Sequence, residues 1–164
     1  MTVRYSKIIM CLCLGAFAFL VTFGNITDYG SNYAFVEHVL SMDTTFPGNA
    51  LMYRSITNPT LWNAGYWLII FGEGLTCVLF LAASWKLWQA RRLPGAAFDA
   101  AKRFVGVAAT MGFLVWFFGF MVIGGEWFAM WQSPTWNGQE AAFKFYITIL
   151  AVLLYVNQPD TDVA

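Results

Sequence analysis

Glu73 is the residue whose type and setting ask for a chemical explanation first. It lies in an apolar run over residues 59–87. At 1.5 Å per helical residue it would sit ~21 Å along that run, near the middle of a bilayer core. An ionised carboxylate at that depth costs several kcal/mol unless it is paired, hydrated or protonated. Gly72 and Gly74 flank it and would let a second backbone or a ligand come close. Two readings follow: a proton- or ligand-binding carboxylate inside a bundle, or a protonated side chain that hydrogen-bonds a neighbouring helix as glue. Further polar residues form a candidate cluster of Arg54, Glu126, Glu140 and Lys144. Glu140 precedes Lys144 by four residues, the favourable order for a local ion pair on one helical face. The sharper alternative takes Lys144 to Glu126 or inward toward Glu73. Arg54 is then a free cation for an anionic ligand or partner.

Other chemistry finds little support. His38 is the single histidine, so bis-histidine haem ligation within the chain is impossible, and a zinc site would need several nitrogen or sulfur ligands together. Cys11 and Cys13 fall inside one apolar run and Cys77 inside another, where they read as small buried hydrophobes. No nucleotide loop, nucleophile elbow or metalloprotease motif occurs. The expectation is therefore no enzyme, no cofactor and no metal. Nine basic and nine acidic residues give zero net charge and no basic face, so a nucleic-acid partner is not expected either.

The elements that must position these residues are set by composition. The chain has 164 residues, 59% hydrophobic and only 11% charged, against roughly 25% charged in soluble domains. Aromatic residues reach 19%, more apolar surface than a soluble fold of this size could bury. The class is a membrane protein. Four runs are long and apolar enough to span a bilayer as helices: residues 5–23, 59–87, 104–128 and 140–156. The first is read as a retained span rather than a signal peptide, because it is long and no small-residue cleavage site follows it. The expected fold is all-α, one domain of four transmembrane helices in an antiparallel bundle. Asn58-Pro59 is a capping side chain ahead of a proline, the pattern that opens a helix. Ser133-Pro134 is read as opening a short turn before the fourth span, and Leu93-Pro94-Gly95 as closing the second. Ala108 and Gly112, four apart, form a small-residue pair suited to close helix contact.

Orientation follows Lys and Arg alone. Arg4, Lys7, Lys86, Arg91, Arg92, Lys102 and Arg103 gather at one side, leaving Arg54 and Lys144 at the other. Both termini are expected to be cytoplasmic. The loop over residues 25–57 is then an outer loop, much longer than a hairpin needs. Within it Tyr33, Val36, Val39 and Leu40 recur at helical spacing, with Glu37, His38 and Ser41 opposite, which predicts an amphipathic helix. Phe46-Pro47-Gly48-Asn49 predicts a turn and residues 50–56 a second short helix. The loop is read as a lid over the span ends, with a binding surface as the alternative. Trp62, Trp67, Trp127, Trp131 and Trp136 fall at matching depth and form a candidate aromatic belt at the outer interface.

Three segments carry a family likeness: Phe46-Pro47-Gly48-Asn49-Ala50-Leu51-Met52-Tyr53-Arg54, Ile56-Thr57-Asn58-Pro59-Thr60, and Gly125-Glu126-Trp127-Phe128 with Trp136-Asn137-Gly138-Gln139. With these the chain resembles a bacterial family of small integral membrane proteins catalogued as a domain of unknown function. The resemblance implies a multi-pass protein of the bacterial inner membrane and brings no activity or catalytic residues with it. The first functional expectation is an accessory, assembly or interaction subunit of a larger membrane complex, or a homo-oligomer, whose surroundings are the lipid bilayer. The alternative is a small proton-coupled transporter or a lipid- or quinone-binding protein that uses Glu73.

Overall fold

The computed structural model describes residues 2–160, and among them it is helical, with no strand. Helix α1 covers Thr2–Thr27, α2 covers Tyr29–Ser41, α3 covers Pro59–Ala90, α4 covers Gly95–Ala101, α5 covers Arg103–Phe113 and α6 covers Gln139–Asn157. Between α5 and α6 the chain winds as a π-helix over Leu114–Trp127. Four stretches are long and apolar enough to cross a membrane: Thr2–Thr27, Pro59–Ala90, Gly95–Trp127 and Gln139–Asn157. The first, second and fourth contain the expected runs and extend them, while the third starts earlier than expected and ends at Trp127, one residue short of the expected 128. The largest extension is at the third, which begins with α4 and passes through a turn at Lys102 into α5.

The helix ends follow local chemistry. Asn58 is extended and its Oδ1 accepts the Thr60 N–H at 2.9 Å, while Pro59, which has no N–H to satisfy, takes the first helical position. After Ala90 the Leu93 N–H turns back to the Ala90 carbonyl at 2.9 Å, and Pro94 cannot extend the helix. Helix α2 stops at Met42, which adopts a left-handed φ of 57°. Ser133 makes a turn rather than a helix start: its Oγ accepts the Trp136 N–H at 2.9 Å. The side-chain acceptor beside the start of α6 is Asn137, whose Oδ1 takes the Gln139 N–H at 3.0 Å.

Helix α1 packs along α3, α3 against α5, and α6 against α5, the π-helix and α1. Leu14, Phe80, Leu87, Val105, Trp116 and Ile149 belong to the buried centre. Gly72 permits this closeness: a Cβ there would lie 2.7 Å from Val115 Cγ2. Gly112 does the same against α6, where a Cβ would meet Ile149 Cδ1 at 2.7 Å. The outward side chains are apolar instead of charged, with Leu154 73%, Leu68 71% and Phe71 65% exposed. In water such a surface would aggregate; in hydrocarbon it is the stable one.

At one end of the molecule the termini meet the α3–α4 turn. Arg4 bonds the Asp160 carboxylate and donates to the carbonyl of Arg91 at 3.0 Å. Lys7 and Lys102, both buried, donate to the Gln158 carbonyl at 2.7 and 2.6 Å. Lys102 also pairs with Asp99 at 2.6 Å. At the other end, α2 and the following segment lie over the span ends. Val39 and Met42 pack with Phe128, Ala129 and Met130 in a small second core. Ile56 N–H bonds the Leu40 carbonyl at 2.8 Å, and Asn49 Nδ2 donates to Gln132 Oε1 at 3.1 Å. The predicted turn at residues 46–49 forms, with Gly48 at φ 74° and the Asn49 N–H on the Phe46 carbonyl at 3.1 Å. The predicted helix over 50–56 reduces to the single 3-10 turn Met52–Arg54.

Candidate functional site: a buried carboxylate in a cavity

Helix α1 is shorter than the part of α3 it would have to cover. It ends at Thr27, level with the middle of α3, and α2 takes its place against the first turns of α3 through Val36, Tyr66 and Ile70. Helix α6 begins at Gln139, and Ala141, Ala142 and Phe145 of its first turns line the same region. Three helix ends thus meet around one stretch of α3, and Glu73 stands there, 2% exposed. Relative to α3 alone Glu73 is central, as its sequence position predicts. Relative to α1 it is near the last turn, opposite Asn25, because α3 runs on beyond its partner.

Asn25 Nδ2 donates to Glu73 Oε2 at 2.7 Å, and the Asn25 carbonyl accepts from Tyr66 Oη at 2.9 Å. The carboxylate is held on one side by this amide and on the other lines a cavity of ≈ 200 Å³. Asn25, Asn32 and Tyr66 add polar groups to the wall; Phe35, Trp116, Phe120 and Phe145 add rings. A second cavity of ≈ 170 Å³ adjoins it and shares Phe35, Val36, Ile69 and Phe120 as common walls. Its remaining lining includes Val39, Leu40, Leu68, Ile123 and Met130, with no charged residue. The first cavity thus has polar groups in its wall, and its neighbour is apolar.

The π-helix shapes both chambers. Trp116 and Phe120 face the first; Gly119, Phe120, Ile123 and Gly124 face the second. π-Helical turns are rare and frequently occur at functional sites, since wider winding moves side chains off the positions an α-helix would give them. The Phe128 N–H on the Ile123 carbonyl at 3.0 Å closes the last such turn. Length and apolarity mark residues 104–128 as a span but carry no sign of this wider pitch. The glycines at 119, 124 and 125 were a visible sign that this helix tolerates an unusual path.

The other candidates are dispersed. Lys144 pairs with Glu140 at 2.7 Å, both side chains largely exposed, so the local pair forms and neither Glu126 nor Glu73 takes part in it. Arg54 meets Glu126 through the backbone: its Nη1 donates to the carbonyls of Glu126 and Trp127 at 3.4 and 3.2 Å. Its guanidinium lies 4.7 Å from the Trp127 ring centroid. Arg54 thus holds the loop to the end of the π-helix, and it lines a surface pocket together with Glu126 and Trp127. The single expected cluster is two separate pairs. The tryptophans also divide. Trp67, Trp127 and Trp131 are about half exposed. Trp62 donates its Nε1–H to the Ile56 carbonyl at 2.7 Å, and Trp136 stacks on His38 at 4.5 Å. Cys11 and Cys77 are buried free thiols as expected, whereas Cys13 points outward and is exposed, and no metal-holding group of His, Cys, Asp and Glu occurs among the described residues.

No curated protein and no solved structure matches this chain. A family model does, over residues 3–159, and with it the apolar helices find their class: the chain belongs to the family described as Predicted small integral membrane protein (DUF2165).

Proposed function

We propose that this integral membrane protein is a binding protein for a small amphiphile, with Glu73 as the polar anchor and the adjoining apolar chamber as the seat of the tail. The observation that carries this reading is the buried Glu73 carboxylate. Among the described residues its side-chain hydrogen-bond partner is Asn25, and it borders a cavity that shares walls with an apolar one. Glue between helices would use the carboxylate fully in helix–helix contact. Here it lies where three helix ends leave space. Intramembrane carboxylates that line cavities are the ones that bind protons, ions or ligands. The four long helices are read as an antiparallel bundle in a bacterial inner membrane, the termini cytoplasmic by the distribution of Lys and Arg. The cavity then belongs to the outer half of the bundle, beneath α2 as a lid.

The test is native mass spectrometry of the protein in nanodiscs. The expected result is a small bound mass on the wild-type chain that is lost from Glu73→Gln, a variant that preserves side-chain shape. Wild-type protein with no bound mass, whatever lipid extract it is offered, would overturn the reading. A second reading, an accessory subunit of a larger complex, is favoured by the exposed rings Tyr53, Phe46 and Trp131 beyond the spans, of which Tyr53 is 75% exposed. It predicts a stoichiometric larger partner that survives Glu73→Gln.

A further inference from the structure

We infer that the ligand of the Glu73 cavity is an amphipathic organic cation, its ammonium-type head beside the carboxylate and its apolar tail in the adjoining chamber. This rests on the reading that the cavity is a binding site and names the chemical class that fits it. The charge balance of the wall points first to a cation. Among the described residues lining the cavity, Glu73 is the one charged side chain, and no Lys, Arg or His accompanies it. Lys144 on α6 is three residues from the lining Ala141, yet it is exposed and paired with Glu140. An anionic head would meet Glu73 with no counter-charge in reach. A cation would supply the counter-charge that a desolvated carboxylate lacks, and the low local dielectric strengthens that attraction.

The rings make the same selection independently. Phe35, Tyr66, Trp116, Phe120 and Phe145 come from α2, α3, the π-helix and α6 and converge on the one cavity. Aromatic faces carry negative potential, and rings around a carboxylate form the surroundings in which quaternary and alkylated ammonium groups are recognised. Asn25 fixes the carboxylate by occupying Oε2. The tail requirement comes from the second chamber, whose Val39, Leu40, Leu68, Ile123 and Met130 offer nothing to a charge. Such a head can come from an amine-bearing lipid of the bilayer or from a free lipophilic amine. The two sources share this chemistry.

The experiment compares three probes with one tail and different heads: octyltrimethylammonium, octanol and octanoate. Each is titrated calorimetrically into protein in phosphatidylglycerol nanodiscs, with empty nanodiscs as the blank. Octyltrimethylammonium is expected to bind about tenfold or more tighter than octanol, with octanoate weakest. Glu73→Gln should abolish the preference. Trp116→Leu, which keeps an apolar wall, should weaken the cation about fivefold and leave octanol nearly unchanged. Size-exclusion profiles matching wild type establish that both variants fold. Adding phosphatidylethanolamine to the nanodiscs separates the sources: competition assigns the head to a lipid, and its absence to a free amine, each within the proposed class. Octanol binding as tightly as the cation, in a Glu73-dependent way, would overturn the cationic assignment while leaving the binding site standing. If none of the three binds, the binding-site reading falls with it.

Discussion

Asn25 and Glu73 share a hydrogen bond across two helices, and its worth can be separated from that of its neighbours. Asn25→Leu removes the donor and leaves a carboxylate oxygen unsatisfied at a buried position, which costs about 1–3 kcal/mol. Tyr66→Phe removes the bond from Tyr66 Oη to the Asn25 carbonyl and should cost about 0.5–1.5 kcal/mol. Thermal unfolding in mild detergent checks both, and the order of the two midpoints is the result to read. Lys144→Ala should leave the midpoint within error, since its pair with Glu140 is solvent-facing. At this scale Glu73 itself was legible: a carboxylate in an apolar run stands out in any sequence. Its partner was not, because Asn25 is 48 residues away and joins Glu73 only through the packing of α1 on α3. In the expected Arg54–Glu126–Glu140–Lys144 group the local Glu140–Lys144 pair was legible, while the placing of Arg54 on the Glu126 carbonyl depends on loop packing. Matching sequence depth does not say which way around a bundle two side chains point.

At the scale of elements, the two glycines beside Glu73 have opposite expected effects. Gly72→Ala would push a Cβ to 2.7 Å from Val115 Cγ2, a stiff β-branched group, and should cost about 1–3 kcal/mol. Gly74→Ala meets Thr22 Cγ2 at an ordinary 3.5 Å and should be neutral or stabilising by up to about 1 kcal/mol, because alanine has less entropy to lose in a helix. Comparing the two unfolding midpoints tests the packing of α3 on the third span directly. The sequence marked both glycines as sites of close approach, and only the neighbours on other helices distinguish them. Helix limits were more legible, since caps such as Asn58-Pro59 act within a few residues. The π-helix was not, because winding is decided by what the helix packs against, and an apolar run has much the same composition at either pitch.

For the whole molecule, the clustering of cations has two consequences. The Lys and Arg bias predicts that Leu93→Cys is labelled only from the cytoplasmic side and Thr45→Cys only from the opposite side, with a membrane-impermeant maleimide as the reporter. The reverse pattern would invert the molecule. The same cations also fasten the chain's two ends together. Truncation after Asn157 removes the Gln158 carbonyl from Lys7 and Lys102 and the Asp160 carboxylate from Arg4. Buried Lys7 loses its acceptor while Lys102 keeps Asp99 and Arg4 keeps the Arg91 carbonyl, so stability should fall by about 1–3 kcal/mol, visible as a fall in the unfolding midpoint.

Composition and hydropathy alone determine that this chain is helical and apolar enough to cross a membrane four times, because hydrocarbon leaves a backbone few ways to satisfy its polar groups. Local caps and turn residues then set most helix ends, since those interactions lie within a few positions of one another. The tertiary structure decided what those helices enclose. Helix α1 stops short of α3, α2 fills in above it, and the π-helix turns Trp116 and Phe120 toward the gap. A cavity is a property of surfaces that fail to meet, and it depends on the lengths, pitch and rotation of several helices together. No single stretch of sequence encodes it.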